Sequence, residues 1–423
     1  MSEWKTCKLS EIGEIVGGAT PSTKNPNFYD GEIPWITPKD LTNWSDMYIS
    51  KGERSITKAG YDSASCKMMP KGTVLFTSRA PIGYIAIAAN DVCTNQGFKS
   101  VVPNTDLIDS QFLYYSLIFN KNKIIAMGSG TTFAEISGKV MASVEISLPP
   151  LDIQKKIAAH LSEIDSKIAV NKKICENLEA QAQALFKHWF VDFAPFKDGK
   201  FVDSELGLIP EGWRVGTYDE IIQDTISGDW GKKKPEGNYT HKVACIRGCD
   251  FQDVKMGLRG KTPERYILEK NYNSKHFNDK DVLVEISGGT ATVSTGRICP
   301  VSQLLIDKYD GDIVCTNFCR LVRPCIGYSS YLYYSWKYKY DRKVMFGYEN
   351  GTSGIKNFSI KDFTSREPLI IPKLSDLHVF EDMIEHIHTH IQNLGSESAK
   401  LATLRDTLLP KLMSGQIKVN DKV

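Results

Sequence analysis

Two stretches of this chain carry the same signposts in the same order, offset by about 210 to 223 residues. Whatever the first stretch folds into, the second must fold into again, because a repeat this long is a duplicated domain and not a solenoid unit. Trp4-Lys5 with Leu9, Glu11 and Ile12 returns as Trp213-Arg214 with Tyr218, Glu220 and Ile221. Ile36–Leu41 (ITPKDL) aligns with Ile246–Phe251 (IRGCDF), and Val92-Cys93-Thr94-Asn95 with Val314-Cys315-Thr316-Asn317. Phe112-Leu113-Tyr114-Tyr115 matches Tyr331-Leu332-Tyr333-Tyr334, Gly130-Thr131 matches Gly351-Thr352, and Ile136-Ser137 matches Phe358-Ser359. Ile146-Ser147-Leu148-Pro149 closes the series against Leu369-Ile370-Ile371-Pro372.

Each copy has two parts. The first is mixed: short β-rich runs such as Gly72–Phe76 and Asp281–Ile286 lie between Gly, Pro, Asn and Asp, and a short helix is predicted over Ser110–Phe119, with its counterpart over Ser329–Lys337. The second part is a long amphipathic helix starting just after Pro149 or Pro372. Its seam positions step by 4 and 3 residues, a heptad a/d pattern: Ile157, Leu161, Ile164, Ile168, Asn171, Cys175, Leu178, Ala182, Leu185 and Trp189 in one, Phe380, Ile384, Ile387, Ile391, Leu394, Ser398, Leu401, Arg405, Leu408 and Leu412 in the other. One shift of about 223 residues relates both seams and both prolines, so the helices are expected to pair with each other. Each would run ~38 residues, or roughly 55 Å. Gly395 is the weak point, costing about 1 kcal/mol of helix propensity relative to Ala.

The expected fold is therefore α+β: two tandem homologous mixed α/β domains, each followed by a long helix, the helices forming an antiparallel coiled coil. The expected boundaries are 1–150 for the first domain, 151–195 for the central helix, 196–373 for the second domain and 374–423 for the C-terminal helix. A length of 423 residues agrees with two to three domains. No run of ~18 apolar residues suggests a membrane span. The opening Met1-Ser2-Glu3-Trp4-Lys5 lacks the basic and apolar regions of a secretory signal. The cysteines lie singly or in loose pairs, which suits a reduced cytoplasm better than a disulfide framework. A net charge of +2 is modest for a nucleic-acid binder, so any DNA-binding charge must be local or shared with partners.

Catalytic signatures are not found. Asn25-Pro26-Asn27-Phe28 approaches an adenine-methyltransferase motif but has the wrong third residue and no cofactor loop before it, so it reads as a turn. Gly17-Gly18 and Gly288-Gly289 lack the strand–loop–helix setting of a phosphate loop, and no G-x-x-x-x-G-K-S/T motif occurs. Glu285-Ile286-Ser287 lacks the lysine of a metal-dependent nuclease strand. Cys245/Cys249 and Cys315/Cys319 have a zinc-like spacing, but Cys319 has no cysteine counterpart in the first copy, and buried strand cysteines are the better reading. Of His386, His388 and His390 only the outer two share a helix face, and a solvated face is expected. No catalytic residue, metal or cofactor is assigned.

The loops, by contrast, are rich in the side chains that meet phosphates and base edges. The first copy offers Thr20, Ser22, Thr23, Lys24 and Asn25 in one loop, Lys39, then Thr77, Ser78 and Arg79 after a strand, Gln96 beside Gly97, and Ser129, Thr131 and Thr132 beside Gly128 and Gly130. The second offers Trp230, Lys232, Lys233, Arg247, Arg297, Asn350, Thr352 and Ser353, with Lys234, Lys255, Arg259 and Asn317 in the same loops. Corresponding loops are polar in both copies but differ in sequence, as two different half-sites would require.

The chain resembles the specificity subunits of type I restriction-modification systems over essentially its whole length. The likeness rests on Trp4-Lys5…Leu9…Ile12, Ile33-Pro34-Trp35-Ile36, Ser78-Arg79-Ala80-Pro81-Ile82-Gly83, Thr94-Asn95-Gln96-Gly97, Leu148-Pro149-Pro150-Leu151-Asp152-Ile153-Gln154, Leu185–Phe193 and Leu404–Gly415. The resemblance implies two target-recognition domains that read double-stranded DNA. It further implies two methyltransferase subunits docked on the helices, motor-nuclease subunits that join for restriction, and no catalysis in this chain. The second copy departs from the pattern at Ala244-Cys245, where Pro-Trp is missing, and at Trp230-Gly231-Lys232, which replaces the Thr-Pro-Ser-Thr loop.

Overall fold

The computed structural model describes residues 4–42, 44–79, 81–128, 134–290, 292–351 and 356–419. The chain divides into two compact units: Met1–Ala169 with Lys400–Val423, and Val170–Ala399. The division falls within the two long helices, Leu151–Phe190 and Leu374–Met413, each of 40 residues.

The first unit is built on two main sheets. One has the order β2-β9-β6-β7-β4, formed by β2 (Gly13–Gly17), β4 (Tyr48–Ile49), β6 (Val74–Phe76), β7 (Ile85–Ala88) and β9 (Lys99–Pro103). The other is β5-β3-β8, formed by β3 (Tyr29–Ile36), β5 (Ser55–Ile56) and β8 (Cys93–Thr94), with β3 and β8 parallel. A short pair joins β1 (Lys5–Lys8) to β10 (Glu145–Leu148). The helix Ser110–Phe119 starts where expected because Asp109 accepts hydrogen bonds from Gln111 N and Phe112 N at 3.0 and 2.9 Å, an N-cap. Beside it, buried Gln154 ties the entry of the central helix to the domain. Its Oε1 accepts from Asp109 N at 3.0 Å, and its Nε2 donates to Leu107 O and Pro149 O at 3.0 and 2.9 Å.

The second unit repeats this plan. β14 (Ile222–Ser227), β17 (Val282–Glu285), β18 (Ile298–Pro300) and β20 (Cys319–Pro324) form β14-β20-β17-β18. β15 (Tyr239–Ile246), β16 (Glu264–Leu268) and β19 (Ile313–Cys315) form β16-β15-β19, again with one parallel pair. β13 (Arg214–Thr217) pairs with the strand Pro368–Ile371 as β1 does with β10. The β11–β12 hairpin (Phe201–Ser204, Gly207–Pro210) lies in the connection that leads from the central helix into β13.

The heptad positions are buried or half-buried along both helices. Within the first unit Ile157, Ala158 and Leu161 share a core with Leu409, Leu412 and Met413. Within the second, Cys175 packs with Ile391 and Leu394, and Phe186 and Phe190 pack with Phe380 and Ile384. In both units a rising number on one helix meets a falling number on the other, so the segments pair antiparallel.

Polar residues interrupt the seam at related places. In the first unit Tyr115 Oη donates to Asp165 Oδ2 at 2.6 Å and Arg405 Nη1 to Asp165 Oδ1 at 2.7 Å. In the second, Tyr334 Oη lies 2.8 Å from His388 Nε2 and 3.1 Å from Glu179 Oε2. Tyr334 and His388 are the repeat equivalents of Tyr115 and Asp165. His388 thus faces inward, unlike the exposed His386 and His390. Burial holds its imidazole below the ordinary histidine pKa; Glu179 opposes the shift and Lys255 adds to it. The unfolded chain then binds a proton here that the folded chain refuses, so stability is full above the unfolded pKa of about 6.5 and falls as pH drops through it. His388→Gln is expected to flatten the decline of the urea midpoint between about pH 7 and pH 5. An unchanged decline would show that His388 contributes nothing to it.

Candidate nucleic-acid interface

The loops that carry most of the predicted contact residues gather around the parallel pair β3–β8 of the first copy and β15–β19 of the second. In the first copy the 18–25 loop lies on the end of β8. A Cβ on Gly18 would come within 2.1 Å of Asn95 O and 2.3 Å of Thr94 O, so only glycine permits the approach. Ala19 N donates to Thr94 O at 3.0 Å, Trp35 Nε1 to Ala19 O at 3.0 Å, and Tyr29 Oη to Pro21 O at 2.7 Å. Thr20 Oγ1 donates to Gln96 Oε1. The Asn95–Phe98 turn is closed by Gly97 N donating to Asn95 Oδ1 at 2.8 Å, and Gly97 O accepts from Ser78 N at 2.7 Å.

The second copy reproduces the backbone bonds of this frame with other side chains. A Cβ on Gly228 would meet Thr316 O and Cys315 O at 2.0 and 2.4 Å. Asp229 N donates to Cys315 O at 2.8 Å, and Thr316 N to Ile246 O at 3.0 Å as Asn95 N does to Ile36 O. Ile286 N donates to Phe318 O at 2.8 Å as Ser78 N does to Gly97 O. Cys245 Sγ donates to Asp229 O at 3.3 Å, in the place that Trp35 Nε1 takes on Ala19 O. These bonds make Thr94 equivalent to Cys315 and Gln96 to Asn317, one residue off the equivalence that the shared Val-Cys-Thr-Asn letters suggest. The frame also accounts for the cysteines: Cys245, Cys315 and Cys319 are buried, Cys249 is exposed, and all ten are free thiols. Asn25–Phe28 is a turn, with Asn25 Oδ1 accepting from Asn27 N at 3.1 Å.

The predicted contact residues fall into three groups. Ser22, Lys24, Gln96, Trp230, Lys233 and Asn350 are exposed. Lys39 is exposed beside Glu53 at 2.6 Å and Lys232 beside Glu236 at 3.6 Å. Arg79 is half-buried, with no ionic partner among the described residues. A second group is committed inward. Thr77 and Ser78 are fully buried: Thr77 Oγ1 donates to Pro81 O and accepts from Tyr84 N, both at 2.8 Å, and Ser78 Oγ donates to Gly97 O at 3.1 Å. Arg247 grips Asp250 through Nε and Nη2 at 2.9 and 3.0 Å, and Arg297 grips Glu285 through the same atoms at 2.7 and 2.5 Å. Both carboxylates are buried, and a buried charge needs such a partner. Ser129, Thr131, Thr132, Thr352 and Ser353 lie outside the described residues.

Asp281, at the start of the 281–286 run, is likewise structural. It accepts from Asn278 N at 2.8 Å beside Arg323, and burial pushes its carboxyl up to about 6. Two features escaped the sequence reading. Arg265 stacks its guanidinium 3.7 Å over the Trp230 ring, and Phe318, 65% exposed, stands at the position of Gly97.

The specificity subunit of the type I restriction enzyme MjaIX of Methanocaldococcus jannaschii is 34% identical to this chain, over 99% of this chain and 94% of that protein. The chain belongs to the type I restriction enzyme specificity subunits. Residues 1–180 of this specificity subunit match the family described as type I restriction modification DNA specificity domain. The HindI specificity subunit of Haemophilus influenzae is 23% identical over 99% of this chain and all of its own length. The S subunit of a type I restriction-modification system from M. genitalium, solved by crystallography, superimposes with a TM-score of 0.53 at 17% identity, covering 97% of this specificity subunit and 96% of its own chain; the fold is shared. No helix among the described residues is long and apolar enough to cross a membrane.

Proposed function

We propose that this specificity subunit reads a bipartite, asymmetric site on double-stranded DNA, one half with each copy, the bases between the halves being unread. It directs adenine methylation by two methyltransferase subunits, and restriction by motor-nuclease subunits, and supplies no catalytic group itself. The reading domains are residues 1–150 and 196–373, with 151–195 and 374–423 as the helices on which partners assemble, and the place of work is the cytoplasm. The observation that carries this is the repeated backbone frame with different side chains at its apex: Thr20 and Gln96 in one copy, Trp230, Asn317 and Phe318 in the other. One frame presented twice meets DNA in one manner twice, and different apex side chains select different bases.

Lys24, Lys39, Arg79, Lys232 and Lys233 are assigned to phosphates, and Thr20, Ser22, Gln96, Trp230 and Asn350 to the grooves. Ser129, Thr131, Thr132, Thr352 and Ser353 keep the same assignment. Thr77, Ser78, Arg247 and Arg297 act from behind, holding the loops that make contact.

The test is to map the methylated sites of cells carrying the chain with its methyltransferase subunits, then to exchange the first-copy loops, Thr20–Asn25 and Gly128–Thr132, for those of a relative. Two short half-sites separated by unread bases are expected, and the exchange should change one half alone. A continuous site, or methyl transfer by the purified chain without partners, would overturn the proposal. Binding to methyltransferase subunits with no selection among DNA sequences would favour a protein scaffold instead.

A further inference from the structure

We infer that Gln96 reads an adenine in the half-site of the first copy and that Thr20 is the residue that aims it. The inference rests on the DNA-reading role proposed above and adds which base is chosen and how. Gln96 is exposed at the apex of a turn whose backbone is tied on every side: Gly97 N to Asn95 Oδ1 at 2.8 Å, Phe98 N to Asn95 O at 3.4 Å, and Gly97 O to the buried Ser78. Its side chain is aimed by Thr20, whose hydroxyl donates to Oε1. Thr20 is in turn held between Ala19, bonded to Thr94 O and Trp35, and Pro21, bonded to Tyr29.

A hydroxyl can donate or accept, and here the Thr20 hydroxyl donates to Oε1. It occupies one lone pair and leaves the other free, and Nε2 has no partner among the described residues. The amide therefore offers one acceptor and one donor side by side. In the major groove only adenine presents the complement, an N6 donor beside an N7 acceptor. Guanine sets two acceptors there, thymine an acceptor and a methyl group, cytosine a donor alone. In the second copy Trp230 stands where Thr20 stands, under the Arg265 guanidinium, and Asn317 and Phe318 replace Gln96 and Gly97. The clamp is missing there, so the same reading does not carry over.

The experiment selects duplexes from a randomised library with the full chain assembled with its methyltransferase subunits, and sequences what is bound. Wild-type protein should yield a two-part site with an A·T pair at one position of one half. Gln96→Ala should lower the preference at that single pair by roughly ten- to a hundredfold and leave the other half unchanged. Gln96→Glu, which only accepts, should turn that position toward C·G. Thr20→Val should weaken the same preference severalfold without altering the thermal midpoint, and Thr20→Ser should restore it. A wild-type two-part site that Gln96→Ala leaves intact, or a loss at a G·C pair or in both halves, would overturn this inference alone. A wild-type selection with no two-part site would overturn it together with the proposed function.

Discussion

Gly395→Ala is expected to destabilise the protein by about 2 kcal/mol or more, although alanine is the better helix former by about 1 kcal/mol. The reason is a close approach inside the second unit. A Cβ at Gly395 would lie 2.2 Å from Met256 O and 2.4–2.5 Å from the Gly257 backbone. Gly257 has a positive φ of 74° and faces Ile391 and Gln392 equally closely. The two backbones are drawn together by Lys308, whose Nζ donates to Gly257 O at 2.6 Å and to Gln392 Oε1 at 2.8 Å, and by Gln392 Nε2 donating to Val254 O at 3.1 Å. Burial pushes the Lys308 ammonium down to about 8, so these bonds matter to it. A methyl group must part the backbones and break them. Urea unfolding decides by sign: a midpoint raised by the alanine would mean that propensity governs and that the contact is slack.

Phe380→Ala should cost about 3–5 kcal/mol, as the loss of a fully buried phenylalanine ring does. The ring meets Phe190 edge-on at 4.8 Å between centroids, with Trp189, Phe186 and Tyr334 within 6.1 to 6.3 Å. It thereby joins the two helices to the Ser329–Asp341 helix of the same unit. Phe380→Leu, which keeps most of the volume, should recover a large part of the loss. Denaturant titrations of both variants supply the comparison. A loss below about 0.5 kcal/mol for alanine, the scale of a surface change, would mean that the seam does not pass through Phe380.

What could be read in advance follows the range of the interactions involved. The duplication, the seam and the helix Ser110–Phe119 are written in periodicity and in caps a few residues away, and all are found in the structure. Gly395 looks like a flaw in the sequence because its contact, Met256, is far away along the chain. Arg247 and Arg297 look like any loop arginine in the sequence. Their commitment depends on Asp250 and Glu285 being buried, which tertiary packing decides. Thr77 and Ser78 follow a strand and suggest a polar loop, yet the chain keeps them inside for three more hydrogen bonds. The slip of one residue between the Val-Cys-Thr-Asn letters and the hydrogen-bonded frame has a similar origin. Backbone bonding sets structural equivalence, and side-chain identity can drift along it, as Trp35 and Cys245 show by serving one carbonyl position with an indole and a thiol.

The polar residues set into the helix seam also bear on which helix may pair with which. The two long helices descend from one repeat, so a central helix from a second chain is a natural competitor for the partner's place. Arg405, which neutralises Asp165, has Ala182 as its repeat equivalent, and Ser398, which accepts from Asn171 Nδ2 at 3.2 Å, has Cys175. A central helix pairing with its own kind would leave the Asp165 carboxylate facing a methyl group and the Asn171 amide facing a thiol. Such unpaired groups penalise the wrong partner while the paired ones reward the right one. The seam thus bears an address: the central helix finds these polar partners on the C-terminal helix and not on a copy of itself.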